Sequence, residues 1–309
     1  MAEKLKLKAP WLVAVWPGMG NVALNAGYYL LSKLGMSFIA EYEAGDVFDI
    51  EQVEVKEGIV QPVRRPRSRF FLWKDPAHAH DLVVFLGEAQ PPIGKYPLCR
   101  RIIAYAQELG VERIYTFAAM ATQMHPENRS RIFAAATDAE SIDELRRLDL
   151  EILEDGHIGG LNGLLVGAAV ESGLHGVCLL GEMPHIFHQL PFPKASLAIL
   201  EVFSTVAGIE IDLSELAEQA RAIGEQLGEI LSRVERAYEE QEVGEEESAI
   251  PEAAEEEEVT PTDRQRIERL FTQAERNRAK AFELKQELDR LGVFKEYEDR
   301  FLDLFKRVE

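Results

Sequence analysis

Glu88 and Glu182 each close an apolar run, and around them the chain sets the neutral hydrogen-bonding side chains Asn21, Gln90, Thr122 and Asn162. Carboxylates among amides and hydroxyls can orient a small ligand and exchange protons with it. Backbone N–H groups bared at Gly18, Gly20 and Gly160 can face an anion. The strings that carry them are Pro17-Gly18-Met19-Gly20-Asn21, Gly87-Glu88-Ala89-Gln90, Ala118–Gln123, Gly156–Gly163 and Gly181-Glu182-Met183-Pro184. All five are expected at strand ends, where open α/β sheets bind ligands, so they are expected to converge on one rim. No nucleophile stands at a fixed spacing from a base, so no residue is assigned as catalytic.

The first string sharpens the question. An apolar strand, Trp11 to Trp16, runs into Gly18-x-Gly20-x-x-Ala23, close to the dinucleotide fingerprint, and Glu41 follows at the spacing of a ribose-binding acid. Against a nicotinamide or flavin site, Pro17 fixes a backbone angle before the first glycine. Gly45 to Arg69 also reads as charged, proline-punctuated extended chain and not as a crossover helix. A phosphate-binding Gly-x-x-x-x-Gly-Lys-Ser/Thr loop, a Gly-x-Ser-x-Gly elbow and a His-Glu-x-x-His pair are all absent from the sequence. His78-Ala79-His80-Asp81 and His185-Ile186-Phe187-His188 lack the companions of a metal centre and are expected to be structural or solvent-exposed. His125 and His157 fall nearer the proposed rim. No cofactor and no metal is expected.

Composition narrows the partners. The 309 residues carry a formal charge of −20, which argues against nucleic acid. The one basic cluster, Arg64-Arg65-Pro66-Arg67-Ser68-Arg69, is expected to be a solvated loop or a rim of ion pairs. No run of about 18 apolar residues is present to span a bilayer, and Met1-Ala2-Glu3-Lys4-Leu5-Lys6 lacks the apolar core of a signal peptide, so a cytoplasmic location without membrane contact is expected. Cys99 and Cys178 lie far apart and are expected to be buried hydrophobes.

The elements that must position these residues alternate from Trp11 to about Gly208. Strands are expected at 11–16, 38–43, 69–73, 82–87, 113–118, 131–136, 149–153 and 176–181, and helices at 21–34, 96–109, 141–148, 161–172 and 194–207. Ser141-Ile142-Asp143-Glu144 has the form of a capping box opening one helix. This is an α/β sheet flanked by helices.

Beyond it, Leu216, Ala220, Ile223, Leu227, Ile230, Val234 and Ala237 recur as a heptad seam. The pattern returns over 262–291 with Ile267, Leu270, Ala274, Asn277, Ala281, Leu284, Leu288 and Leu291, and Gly292 ends it. Between the two seams, residues 241–260 hold nine acids and no base, an acidic linker. Residues 261–309 hold twelve bases and eleven acids, and residues 1–240 hold 34 acids and 22 bases. The expected organisation is an α/β domain over 1–240, a flexible linker over 241–262 and a helical segment over 263–309. The two seams fold back on each other, join helices of another subunit, or lie on their own domain, with Asn277 as a buried register residue in the paired forms.

Taken in order, Pro17–Ala23, Gly87–Gln90, Gly156–Gly163, Cys178–Pro184 and the helix start Pro193-Lys194-Ala195-Ser196 resemble the proteasome assembly chaperone two family across residues 10–210. The resemblance implies a three-layer α/β domain, a mixed sheet flanked by helices related to the purine nucleoside phosphorylase architecture. It also implies a role in protein assembly instead of catalysis, with homo-oligomers among prokaryotic relatives. Two features depart from the family pattern: Ala118-Ala119-Met120-Ala121-Thr122 lacks an expected glycine pair, and Phe305-Lys306-Arg307-Val308-Glu309 lacks a hydrophobic-tyrosine-any tail. The reading is a homo-oligomeric assembly or protein-binding factor, with itself and proteasome-related clients as partners. The alternative is an enzyme or sensor that takes a small anionic or nucleoside-like ligand at the strand-end loops.

Overall fold

The computed structural model describes residues 6–42, 47–48, 53, 55–56, 58–62, 64–77, 79–241 and 260–306. In chain order the elements are β1 (Trp11–Val15), α1 (Val22–Lys33), β2 (Ser37–Tyr42), β3 (Val55–Lys56), β4 (Ile59–Val60), β5 (Ser68–Trp73), β6 (Leu82–Gly87), α2 (Lys95–Glu108), β7 (Arg113–Thr122) and β8 (Ile132–Ala136). There follow α3 (Ala139–Leu145), β9 (Glu151–Ile152), α4 (Gly160–Glu171), β10 (His175–Pro184), α5 (Pro193–Ala207), α6 (Ser214–Gln241), α7 (Pro261–Arg276), α8 (Ala281–Arg290) and α9 (Phe294–Asp303).

Eight strands form one mixed sheet in the order β2-β5-β6-β1-β7-β10-β8-β9, and β3 and β4 form a separate hairpin. The central strands β6, β1, β7 and β10 are parallel, flanked by antiparallel β5 and β8. All five residues of β1 and all six of β6 are buried, because helices cover both faces and a strand so placed has no polar side to show. Alternation splits β1 between two cores: Val13 and Val15 face α1, α5 and the C-terminal helices, while Leu12, Ala14 and Trp16 face α2 and α4.

Helix α1 is buried along eleven of its twelve residues, from Val22 to Ser32. A helix apolar all round needs cover on its outer side, and α8 and α9 supply it, with α7 packed on α8. Phe282 meets Tyr29 edge-on at 4.4 Å between ring centroids, and Phe294 and Phe301 meet Tyr28 at 5.1 and 5.6 Å. Just past α9, the Phe305 carbonyl accepts the backbone N–H of Phe38 at 2.7 Å, on the outer edge strand β2.

Several expectations change. The helix expected over 262–291 is interrupted at Asn277, whose extended backbone (φ −142°, ψ 101°) ends α7 and whose side chain caps the next short turn by accepting from Ala279. Asn277 is exposed and is no register residue. The stripe Ile267, Leu270, Ala274, Ala281, Leu284 and Leu288 is buried in the core that contains α1, so of the three arrangements it is the chain's own domain that takes this seam. In α6, Leu216, Ala220 and Leu227 are buried, whereas Ile230 and Val234 are exposed; the Ala237 side chain lies outside the described residues, as do His78, residues 242–259 of the linker and residues 307–309 of the tail. Helix α7 begins at Pro261, inside the span assigned to the linker. Helix α3 is capped by Asp138 and not by Ser141: the Asp138 carboxylate accepts from both the Ser141 N–H and its hydroxyl. Strand β7 runs on to Thr122, paired in register with β10 as far as Thr122 opposite Pro184, so Ala118–Thr122 and Gly181–Pro184 are strand and not turn.

Candidate functional site

The expected single rim is two sites. Asn21, Glu88 and Gln90 line one cavity of about 520 Å³, whereas Thr122 and Glu182 line a cleft of about 410 Å³ at the ends of β7 and β10.

At the first, the chain leaving β1 turns through two left-handed residues, Gly20 (φ +60°) and Asn21 (φ +50°). Glycine is favoured at 20, because the residue is left-handed and a Cβ there would stand 2.8 Å from the Met183 methyl carbon, which would have to shift. The turn is not a bare donor loop, since Gly20 gives its N–H to His188 and accepts from Phe192. Gly18 is open and extended, and Asn21 makes no capping bond with its side chain. Gln90 is a strut: its amide donates to Pro17 O at 2.7 Å and accepts the Leu161 N–H at 3.1 Å, tying the β1 turn to the start of α4. Gly160 makes room for it, as a Cβ there would lie 2.9 Å from Gln90 Oε1. Asn162 is buried and takes the Thr116 hydroxyl on its backbone carbonyl, away from the cavity.

Glu88 is held, not free. Its carboxylate accepts from Arg69 at 2.9 Å, from the Arg67 N–H at 3.0 Å and from Arg64 at 3.3 Å. Burial pushes its pKa up; the Arg67 N–H opposes this, nearby Glu298 adds to it, and the Arg69 and Arg64 charges oppose it again. Arg69, with 3% of its side chain exposed, continues to Asp299 of α9 at 2.6 Å and to Glu41 at 3.6 Å. Of the basic cluster, Arg64, Arg67 and Arg69 are thus engaged in ion pairs, while Arg65 is exposed. Glu41 is spent on Arg67 and Arg69 at the sheet edge, in a strand antiparallel to its neighbour β5, which removes the ribose-acid reading.

Glu182 is likewise engaged. Arg131 reaches it with Nη2 at 2.6 Å and Nε at 2.9 Å, and the Thr122 hydroxyl donates at 2.7 Å. Arg131 holds its carboxyl below the usual range, against the effect of desolvation. Neither carboxylate is left as an unpaired general base. Among the described residues, no three His, Cys, Asp or Glu side chains gather as a metal site.

Sequence reasoning missed the far wall of the first cavity. Lys285 and Asp289 of α8, Phe294 and Lys295 of α9, and Gln219 of α6 line it. Tyr28, whose hydroxyl donates to Glu298 at 2.6 Å, lines it from α1. Burial, with Glu298 beside it, drives the Tyr28 phenol far above its ordinary pKa. The available signal was α1 itself, whose unbroken apolarity required an outer layer.

This architecture, a mixed sheet with strand-end pockets and engaged carboxylates, defines a three-layer α/β protein with appended helices. A family model described as the PAC2 family matches residues 12–231, and the chain belongs to that family. The uncharacterized protein MJ1210 of Methanocaldococcus jannaschii is 29% identical over 218 residues, covering 69% of this chain and 79% of its own length. PbaB of Pyrococcus furiosus, described as an archaeal proteasome activator, superposes with a TM-score of 0.62 at 27% identity, covering 75% of this chain and 96% of PbaB. The Mycobacterium tuberculosis proteasome-assembly chaperone homologue Rv2125 shares the fold, with a TM-score of 0.62, 22% identity and coverage of 71% and 94%. Among the described residues, no helix is long and apolar enough to cross a membrane.

Proposed function

We propose that this protein is a proteasome-assembly-chaperone-like factor that binds other proteins through surface complementarity, without catalysis, as a cytoplasmic homo-oligomer. The observation that carries the reading is membership of the PAC2 family over residues 12–231, joined to the likeness to a described proteasome activator at 27% identity. The engagement of Glu88 and Glu182 in ion pairs supports a non-catalytic role. Self-association is supported by Ile230 and Val234, which continue the buried seam of α6 on an exposed face.

The test is co-purification of the tagged full chain from its native host, followed by sedimentation of the chain with recombinant proteasome α-type subunits of that host. A stoichiometric complex is expected. Recovery of the chain without any proteasome subunit, together with independent sedimentation, would overturn the proteasome assignment.

A further inference from the structure

We infer that the β3–β4 hairpin is the docking site of an extended, basic segment of another protein, which adds to it as a third strand. The inference rests on the protein-binding reading and names the surface and the chemistry of its partner.

Its position comes first. β5 is antiparallel to both β2 and β6, so β2 ends and β5 begins at the carboxyl end of the parallel strands. The connection that carries the hairpin leaves and returns at that end. It is anchored on both sides: Val47 is buried against Gly94 beyond β6, and the Arg67 N–H donates to Glu88. Among the described residues, eleven large hydrophobic side chains are exposed, and eight of them sit on this connection or on the loops beyond β1, β6 and β10. Exposed apolar groups scattered singly are ordinary, but their gathering at one end of a sheet marks an interaction surface.

The hairpin then decides what docks. Val55 pairs directly with Val60, so both point to one face, and they are 57% and 62% exposed. The two strands form a sheet of their own, with no third strand among the described residues. A lone hairpin with an uncovered apolar face is marginal in water, whereas three strands with such a face are stable. An added strand supplies the missing pairing through its backbone, and every second side chain of it falls beside Val55 and Val60. Charge settles the rest. Residues 43–61 hold six acids and one base, in a chain of formal charge −20. In Val53-Glu54-Val55-Lys56 valines alternate with charged residues, so a strand complementary to this acidic connection alternates apolar residues with Lys or Arg. A second copy of the chain would bring the same acids to the same place and is disfavoured.

The experiment is fluorescence anisotropy of a short labelled peptide alternating lysine and valine, titrated with the full chain, beside lysine–serine and glutamate–valine peptides of the same length. Saturable binding of the lysine–valine peptide is expected, weakened by salt. The lysine–serine peptide, with the charge but no apolar face, should bind roughly tenfold more weakly or worse, and so should the lysine–valine peptide to the double variant Val55→Ser with Val60→Ser. Both valines are exposed, so this variant is expected to keep its melting temperature and its mass in sedimentation. No proteasome subunit enters these measurements, so their failure is separate from a failure of the proteasome assignment. No saturable binding of the lysine–valine peptide, equal binding of either control peptide, or undiminished binding to the folded double variant would each overturn the proposal. So would a fall in the mass of that variant, which would put a second copy on the hairpin.

Discussion

Arg69 on β5 and Asp299 on α9 are joined at 2.6 Å between guanidinium and carboxylate, 230 residues apart in sequence. The same guanidinium holds Glu88 at 2.9 Å, so one buried cation secures both the end of β6 and the last helix. Arg69→Met leaves Glu88 with its charge in a buried site, and breaking such a pair costs ~3–5 kcal/mol. Urea denaturation should show that loss, while Arg129→Ala, at a side chain 76% exposed, should change stability by less than ~0.5 kcal/mol. Equal effects of the two substitutions would refute the arrangement.

Gly20 and Gly18 form a matched pair of tests. Gly20→Ala meets both a positive φ and the Met183 side chain, and is expected to cost ~1–3 kcal/mol. Gly18→Ala meets open space in extended backbone and should be near neutral. Thermal melts of the two variants decide it.

Glu182 gives the stability a pH dependence of known sign. Arg131 depresses its carboxyl in the folded state, so its contribution is complete above the unfolded value of ~4.3 and disappears as pH falls through the lower folded value. Glu182→Gln should therefore flatten the fall in unfolding free energy between about pH 5 and pH 3, read from urea curves at each pH. An identical slope in both proteins would show that Arg131 and Glu182 are uncoupled.

The C-terminal helices are core and not ornament. Phe282 is 1% exposed against Tyr29, and Phe282→Ala is expected to cost ~3–5 kcal/mol. A chain ending at Gln241 should expose Tyr28, Tyr29 and Phe71, bind a hydrophobic dye and precipitate at lower temperature. Unchanged melting of that truncated chain would contradict the packing.

Self-association through α6 predicts that Ile230→Glu with Val234→Glu lowers the mass seen by sedimentation without lowering the melting temperature, because both side chains are exposed within one chain. A mass unaltered by the double substitution would place any interface elsewhere.

The sheet was legible because buried parallel strands such as Trp11–Val15 and Leu82–Gly87 are unbroken apolar runs, and the helices between them end at recognisable residues such as Gly208. Strand ends were less so: Ala118–Thr122 reads as a turn by its small residues, yet ten consecutive pairings with β10 extend the strand over them. The ion pairs of Glu88 and Glu182 depend on Arg69, Arg131 and Asp299, whose meeting is set by tertiary packing with no local pattern to announce it. A heptad stripe likewise specifies a buried face but not what buries it, which is why Leu284 and Leu288 could be foreseen as apolar contacts and their place against α1 could not.

The distance in sequence between Tyr29 and Phe282 has a consequence during synthesis. Some 250 residues separate the two, and at ~5–20 residues per second the ribosome needs roughly 10–50 s to deliver the second after the first. Through that interval the aromatic face of α1 has no native cover, so the native packing of this face is completed only when the last helices emerge.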